Sequence, residues 1–306
     1  MTQNTFKTVL LLCTFYLIQN TIIAQSSPKN EVHPRITLER TELRILHSDI
    51  VEQDYELEIS LPFNYSKDST KYPVIFLLDP SVQFLMMRSY TDDRAFNQAI
   101  PKVIIVGIGY GGEGFNKIQN FSVGRSRDYT PIKDTKIEES NNKYWERMGV
   151  KDINVITGGA PLFMEFIRKE LFPFMESNYR IDTKDRILCG YSFGGLFALY
   201  SLFHDSSLFN KYLIGSPSIW YKDGISFEYE SNYAKTHGDL KAEVFMSSGG
   251  LDKETAENME KMANLLNSRN YKNLKLNTRI FENESHSTSF YPFMNQGLSE
   301  LYKKEK

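Results

Sequence analysis

The feature that most limits the folds open to this chain is a series of short, continuously apolar segments. Such segments are typical of strands that are buried on both faces of a sheet. Strands of that kind pair in parallel and are joined by helices. The segments are PVIFLLD (73–79), KVIIVGIG (102–109), RILCGYS (186–192), KYLIGSP (211–217) and AEVFMSS (242–248), and LNTRIFENE (276–284) follows them.

Two alternating segments precede this series, and helical patterns lie between its members. TELRILHSDI (41–50) and DYELEISLPF (54–63) have period-two alternation, which predicts an antiparallel pair with one solvated face. The order of the patterns predicts an α/β fold, with a mostly parallel eight-stranded sheet, an antiparallel N-terminal strand pair and helices on both faces. Apolar residues recur at helical spacing in 161–179, 193–203, 253–269 and 289–304.

Residues 110–160 form a long interval without a regular pattern. Long irregular segments within compact domains are usually functional or disordered, and the aromatic residues Tyr144 and Trp145 argue against disorder here. We predict a long loop insertion near the active site. Because it leaves the carboxyl end of the strand at 102–109, we expect it to form one wall of the substrate cleft.

The N-terminal residues differ in character from the rest of the chain. Lys7 precedes an apolar stretch at 9–18, and the small residue Ala24 comes before polar residues. This layout predicts a signal peptide at 1–25. An uncleaved anchor is the alternative, but the apolar stretch is shorter than the roughly 20 residues that a membrane span needs.

Removal of the signal peptide would leave a chain with one cysteine. Cys13 lies in the leader, and Cys189 lies in an apolar strand segment, so we predict a packed thiol and no internal disulfide. We expect an exported protein, periplasmic or secreted, with a linker at 26–37 and one domain at 38–306.

Net charge and motif spacing together limit the classes of partner and cofactor that the chain can bind. The chain has a formal net charge of −2 without a basic stripe, so we expect no nucleic acid partner and, after signal cleavage, no membrane partner. Gly107, Gly109 and Gly112 match a dinucleotide fingerprint, but no helical pattern follows them. No two of the five histidines have metal-ligand spacing. We therefore expect no cofactor and no metal, and the oligomeric state stays open.

One motif carries chemistry, Gly190-Tyr191-Ser192-Phe193-Gly194. It fits the pattern G-x-S-x-G between a strand and a helix, the context that exposes a nucleophilic serine on a sharp turn. Glycine on both sides of the serine would destabilise either a strand or a helix, so fold stability does not explain why the glycines are present. A closely packed turn of small residues is the alternative. We predict that Ser192 is the nucleophile of a serine hydrolase.

A serine hydroxyl needs a base and an acid to become a good nucleophile. His286 follows the last predicted strand, in the loop from which α/β-hydrolases take their base. The loop after the penultimate strand offers Asp252 and Glu254. Asp252 is nearer to the strand end, so we favour it as the acid, with Glu254 as the alternative.

An acyl-transfer site also needs two backbone N–H donors for the oxyanion. The residue after the nucleophile, Phe193, is expected to supply one donor. The second is expected from the loop after the strand at 73–79. Pro80 has no N–H, so we predict that Ser81 is the second donor.

Several motifs in one order resemble the enterochelin-esterase-like (esterase D-type) branch of the α/β-hydrolases. The resemblance covers about residues 38–303 and implies the α/β-hydrolase fold, with Ser192 as nucleophile, His286 as base and the Ser81 amide in the oxyanion hole. Two positions depart from the pattern, Pro80 where the branch usually has glycine and Asp252 where close relatives often have glutamate. The motifs are LLDPS, GIGYG, RSRDYTP, TGGAPLFMEFIRKELFPFMESNYRID, RILCGYSFGGLFALYSL, GSPSIWY, SSGGLD and ENESHSTSF.

The resemblance implies hydrolysis of carboxyl esters, with siderophore esters and acylated carbohydrates as candidate substrates. The predicted substrate-binding residues are aromatic or basic, as suits an aromatic or anionic acyl group: Arg125, Arg127, Tyr129, Trp220 and Tyr221. An internal ion pair with Asp128 is the alternative for the two arginines. An acyltransferase with the same triad, or a non-catalytic binding protein on a hydrolase scaffold, is the alternative for the function.

Overall fold

The computed structural model describes residues 37–67, 69–150 and 153–303. The predicted signal peptide and nearly all of the predicted linker lie outside these residues. Arg40–Lys306 forms one compact unit, and the three described residues before it belong to a separate unit, Met1–Glu39. No helix among the described residues has both the length and the apolar character needed to cross a membrane.

A single eight-stranded sheet runs through the described residues, as predicted. The strand order is β1-β2-β4-β3-β5-β6-β7-β8. β2 is antiparallel to both β1 and β4, and every other neighbouring pair is parallel. The strands are β1 Thr41–Ser48, β2 Gln53–Ser60, β3 Tyr72–Leu78, β4 Ile104–Tyr110, β5 Ile181–Tyr191, β6 Lys211–Gly215, β7 Ala242–Gly249 and β8 Leu274–Phe281.

Helices cover both faces of the sheet. Along β3, Phe76 packs into one apolar cluster with α-helical residues such as Phe197, and its neighbour Leu77 packs into a second cluster with Phe293. Cys189 is buried in the second cluster, so the predicted packed thiol is confirmed. The helices are α1 Pro80–Phe96, α2 Gly114–Asp128, α3 Thr135–Arg147, α4 Ala160–Phe166, α5 Phe172–Asn178, α6 Phe193–His204, α7 Ile225–Thr236, α8 Lys253–Ser268 and α9 Phe290–Leu301.

Two smaller features complete the chain path. The π-helical residues Ile167–Leu171 join α4 to α5, so these two helices correspond to the single helix predicted at 161–179. Tyr65–Lys67 and Tyr221–Asp223 form short 3-10 turns.

The prediction of a long loop at 110–160 is wrong, because this interval contains α2 and α3. The buried residues of α2 are Gly124, Ser126 and Asp128. A helix that buries small and polar residues shows no apolar periodicity, which is the signal that sequence analysis depends on. In α3, Trp145 is the buried residue, and the helix starts at a capping aspartate, Asp134.

The glycines that match a dinucleotide fingerprint have a packing role. Gly107 and Gly109 lie inside β4 rather than in the turn after it. A Cβ atom on Gly107 would lie 2.5 Å from the Cβ of Pro80, the first residue of α1. These glycines therefore let the first turn of α1 pack directly against the sheet. A helix begins at Gly114, so the expectation that no helix follows these glycines is wrong.

Candidate active site

Ser192 lies on a strained turn between β5 and α6. Its backbone has φ 59° and ψ −116°, a region that costs a residue other than glycine about 1–3 kcal/mol. Its N–H donates to the Gly215 carbonyl at 2.9 Å, and its carbonyl accepts from the Ser218 N–H at 3.1 Å. These bonds to the segment after β6 hold the turn in place.

The close packing of this turn explains why residue 190, two positions before the serine, is glycine. A Cβ atom on Gly190 would overlap the carbonyl oxygen of Gly194 in the first turn of α6. The Ser192 hydroxyl lies 3.4 Å from the Ser218 hydroxyl. Ser192 is also the N-cap residue of α6, but within the described structure its side chain does not cap the helix. The hydroxyl is therefore available for chemistry.

His286 and Asp252 meet at the carboxyl ends of β8 and β7. The His286 Nδ1 lies 2.7 Å from the Asp252 Oδ2. An ionised carboxylate only accepts, so Nδ1 donates this hydrogen bond, and in the neutral imidazole the lone pair then lies on Nε2. Glu254 is exposed in the first turn of α8, so the geometry selects Asp252 as the partner of His286.

Main-chain hydrogen bonds hold these two loops together. The Leu251 N–H donates to the Glu284 carbonyl at 3.0 Å, and the Gly250 N–H donates to the Phe281 carbonyl at 2.9 Å. The bond between His286 and Asp252 therefore joins two loops that are also joined by their main chains. Preorganisation of this kind is what an acid–base pair needs.

The two predicted oxyanion donors both lie at the starts of helices. Phe193 is the first residue of α6, and Ser81 is the second residue of α1. The first N–H groups of a helix have no intrahelical partner, and the helix dipole favours negative charge there. Asp79, in the left-handed conformation with φ 53° and ψ 48°, turns the chain from β3 into α1.

Arg125 supports this arrangement from α2 instead of facing a substrate as predicted. Its Nε and Nη2 donate to the two carboxylate oxygens of Asp79, each at 3.1 Å. Its guanidinium carbon also lies 5.3 Å from the centre of the Phe193 ring. Burial opposes the charge of Arg125, but the neighbouring Asp79 carboxylate more than offsets this and raises the pKa of the guanidinium. Arg125 thus joins the two segments that carry the predicted oxyanion donors.

Arg127 does not match the prediction of substrate contact either. Its Nε donates to the Oδ1 of the fully buried Asp128 at 2.6 Å. The hydroxyls of Tyr55 and Tyr110 donate to the other oxygen of Asp128 at 2.8 and 2.9 Å. The internal ion pair, stated above as the alternative, is the arrangement present.

Two of the three predicted aromatic contacts are buried, which contradicts a substrate-binding role for them. Tyr129 has no exposed surface, and its hydroxyl accepts from the Asp79 N–H at 3.3 Å. Tyr221 is also fully buried, and its hydroxyl donates to the Ile132 carbonyl at 2.8 Å. Trp220 is 36% exposed, with its ring centre 6.1 Å from that of Phe193. Its role in substrate binding stays a prediction.

Sequence analysis missed two residues of the site, Asp79 and Ser218. A carboxylate directly after a fully apolar strand must find a cationic partner if it is buried, and this could have identified Asp79. Sequence analysis offered no comparable signal for Ser218. The position of its hydroxyl beside the nucleophile depends on how the segment after β6 folds back toward Ser192.

Comparison with known proteins places the chain in a family. The sequence profile of the family described as "Putative esterase" matches residues 48–298. The chain belongs to this esterase family. It is 34% identical over 192 residues to the ferri-bacillibactin esterase BesA of Bacillus subtilis, a match that covers 61% of each chain. The chain therefore matches about three fifths of that relative's length.

Solved structures of similar proteins have the same fold. The BES protein from Bacillus cereus has a TM-score of 0.74 and 29% sequence identity, over 89% of this chain and 99% of that one. An IroE-like serine hydrolase from Shewanella oneidensis has a TM-score of 0.72 and 29% identity, over 86% of this chain and 80% of that one. The predicted α/β-hydrolase fold and the resemblance to the enterochelin-esterase-like branch are thus confirmed.

Proposed function

We propose that this protein hydrolyses carboxyl esters through an acyl-enzyme on Ser192. The observation that carries the proposal is the 2.7 Å hydrogen bond between His286 and Asp252, at the edge of the sheet where the strained Ser192 turn also lies. A nucleophile, a base and an orienting carboxylate form the triad of serine hydrolases. Relatives and structural neighbours that are named esterases and serine hydrolases support it.

In the proposed reaction, the Ser192 Oγ attacks the ester carbonyl carbon and its proton passes to the His286 Nε2. The carbonyl electron pair moves onto oxygen, and the oxyanion accepts hydrogen bonds from the Phe193 and Ser81 N–H groups. The C–O bond to the alcohol then breaks, and the alcohol takes the proton from His286. Water, activated by the same base, adds to the acyl-serine and releases the acid and Ser192.

Covalent labelling tests the proposal. A fluorophosphonate probe should label the wild-type protein at Ser192, with loss of fluoride, and should leave Ser192→Ala unlabelled. The labelled peptide is identified by mass spectrometry, and ester turnover is measured on the same samples. A wild-type protein that is neither labelled nor active on any ester would exclude the mechanism.

For the substrate, we propose esters with aromatic acyl groups of the siderophore type. The support is the name of the Bacillus subtilis relative and the partly exposed Trp220 beside Phe193. A flat, partly exposed ring beside the residue that follows the nucleophile suits stacking against an aryl acyl group. A panel of short-chain aryl esters, hydroxycinnamoyl sugars and ferric catecholate trilactones tests this. Trp220→Ala should raise the KM for the aryl-acyl substrates and leave short-chain acyl esters nearly unchanged.

We also propose that the protein is exported, on the basis of the leader pattern at 1–25. Expression of the full chain in a bacterial host, followed by fractionation, should place the protein outside the cytoplasm. The intact mass should correspond to a chain that begins near Gln25. A full-length chain that stays in the cytoplasm would exclude export.

A further inference from the structure

The residue between Gly190 and the nucleophile has a side chain with a network of its own. Tyr191 ends β5 and is 7% exposed. Its hydroxyl donates to the main-chain carbonyl of His286. The same hydroxyl lies 2.9 Å from the Ser216 hydroxyl and 2.6 Å from the Ser289 hydroxyl. Since the single tyrosine proton goes to a carbonyl, which can only accept, both serines must donate to the tyrosine oxygen.

The network uses a residue that would otherwise stabilise a helix. Ser289 is the N-cap residue of α9, and serine at this position usually accepts from a helix N–H. In the described structure its side chain does not cap α9, and it contacts Tyr191 instead. The Tyr191 ring also packs edge-on against the ring of His286, with 5.5 Å between centres, and against Phe290 at 5.2 Å.

His286 is therefore held at two places by different elements. Its ring is held by Asp252 from the loop after β7, and its main chain is held by Tyr191 from β5. The His286 side chain itself is 41% exposed, so side-chain packing alone constrains it weakly. Tyr191 is also covalently joined to Ser192. One side chain thus links the backbone of the nucleophile to the backbone of the base.

We infer that Tyr191 is a positioning residue, which sets the distance between His286 and Ser192 through its hydrogen bond to the His286 carbonyl. The inference rests on the proposed esterase mechanism. Displacement of a catalytic group by about 1 Å can cost roughly 100-fold in rate. Loss of this bond should therefore slow the chemical step without weakening substrate binding.

The test is Tyr191→Phe, which keeps the ring and removes the hydroxyl. We expect kcat to fall roughly 10- to 100-fold with KM nearly unchanged. The rate of phosphylation of Ser192 by diisopropyl fluorophosphate should fall by a similar factor, since that reaction needs the same base. All rates are measured well below the unfolding temperature of each variant.

Tyr233→Phe is the matched control. Tyr233 lies on α7 and is also 7% exposed, and its hydroxyl also donates to a main-chain carbonyl, that of Asp239, at 2.9 Å. The control should lose stability without a change in kcat. If Tyr191→Phe keeps wild-type kcat, or raises KM instead, the inference is overturned.

Ser289→Ala provides a second test that keeps the tyrosine. This variant should lower kcat less than Tyr191→Phe does, and it should have no further effect in the Tyr191→Phe background, because Ser289 acts through the same hydroxyl. Additive losses would contradict the inference. Labelling of the wild type by the organophosphate separates the two proposals. A labelled, active wild type with a normal Tyr191→Phe removes only this inference, and an unlabelled wild type removes both.

Discussion

At the scale of single residues, the site is built from helix N-caps whose side chains do not cap. Ser192, Asp252 and Ser289 precede α6, α8 and α9, and within the described residues none of them uses its side chain on its own helix. Asp134 shows the ordinary behaviour, because its carboxylate accepts from the Lys136 N–H at 3.0 Å. A side-chain cap stabilises a helix by about 1 kcal/mol, and these three helices lack that contribution. The side-chain oxygen atoms of the three residues lie in the candidate site instead.

Replacement of the nucleophile gives the most direct prediction. Ser192→Ala should lower ester turnover by roughly 10⁴-fold or more, because no other group can form the acyl-enzyme. The fold should persist, since among the described residues the hydroxyl makes one weak contact, with Ser218 at 3.4 Å. Turnover of a chromogenic ester and circular dichroism together check this. Retention of more than about a tenth of the wild-type turnover would contradict the assignment.

The acid is tested by a pair of isosteric changes. Asp252→Asn should lower kcat by roughly 10²- to 10⁴-fold, because an amide can hold His286 in the wrong tautomer. Glu254→Gln should have turnover close to wild type, since its carboxylate is exposed on α8. Steady-state kinetics on both variants decide between the two carboxylates. A larger loss in the Glu254 variant would move the acid to that residue.

At the scale of elements, α2 is tied to the residue before α1 by the ion pair of Arg125 with Asp79. Arg125→Ala should lower kcat roughly 10-fold for neutral and anionic esters alike, because it releases Asp79 and the start of α1. A residue that binds the acyl group would instead raise KM for anionic esters only. Kinetics on a neutral aryl ester and on its carboxylated analogue distinguish these outcomes.

Arg127→Ala is the matched change on the same helix. It leaves the buried Asp128 carboxylate without its cation, which should cost about 3 kcal/mol of unfolding free energy. The turnover of the folded protein should stay near the wild-type value. Urea unfolding measures the first effect. If Arg127→Ala loses activity without losing stability, α2 contributes to the site through both arginines.

The strands could be predicted from sequence more fully than the helices. Buried strands are continuously apolar, so each of the eight gave a visible segment. In contrast, α2 buries Gly124, Ser126 and Asp128, and it therefore leaves little apolar periodicity. The contact between His286 and Asp252 was predictable because each follows a strand in a fixed order. The partners of Arg125 and Arg127 depend on how α2 packs on β3 and β4, which no local pattern reports.

At the scale of the whole molecule, the parallel strands bring distant segments together at one edge. The carboxyl ends of β3, β5, β7 and β8 lead to Ser81, Ser192, Asp252 and His286, respectively. Ligand sites in open α/β sheets form outside these ends. The sheet thus sets the position of the candidate site, and the short segments after each strand set its chemistry.

The stability of the whole domain should depend on pH through two histidines with opposite shifts. Burial beside Tyr200 and Tyr229 lowers the pKa of His204, partly offset by its hydrogen bond to the Tyr200 carbonyl. The unfolded chain then binds a proton more readily near pH 6.5. The contribution of His204 is therefore complete above about pH 6.5 and is lost as the pH falls toward its lower folded pKa.

His47 has the opposite sign. Its hydrogen bond to Asp54 raises the pKa of the exposed imidazole. Its contribution is therefore complete below about pH 6.5 and is lost as the pH rises through its folded pKa. Urea unfolding between pH 5 and 8 measures both contributions to stability. This pH range brackets the ordinary histidine pKa of about 6.5. His204→Gln should make stability less sensitive to acid, and His47→Gln should make it less sensitive to base. Identical pH curves for both variants would contradict the assignment.

The contact between Pro80 and the glycines of β4 has a consequence for how this chain can vary. A side chain at Gly107 would push against the first turn of α1, and with it against the segment that carries Ser81. A smaller residue at position 80 would remove the obstacle. Substitutions at positions 80 and 107 should therefore show epistasis, in which a change that is harmful alone becomes tolerated after its partner changes. The residue at position 80 and the glycines of β4 should therefore vary together rather than independently.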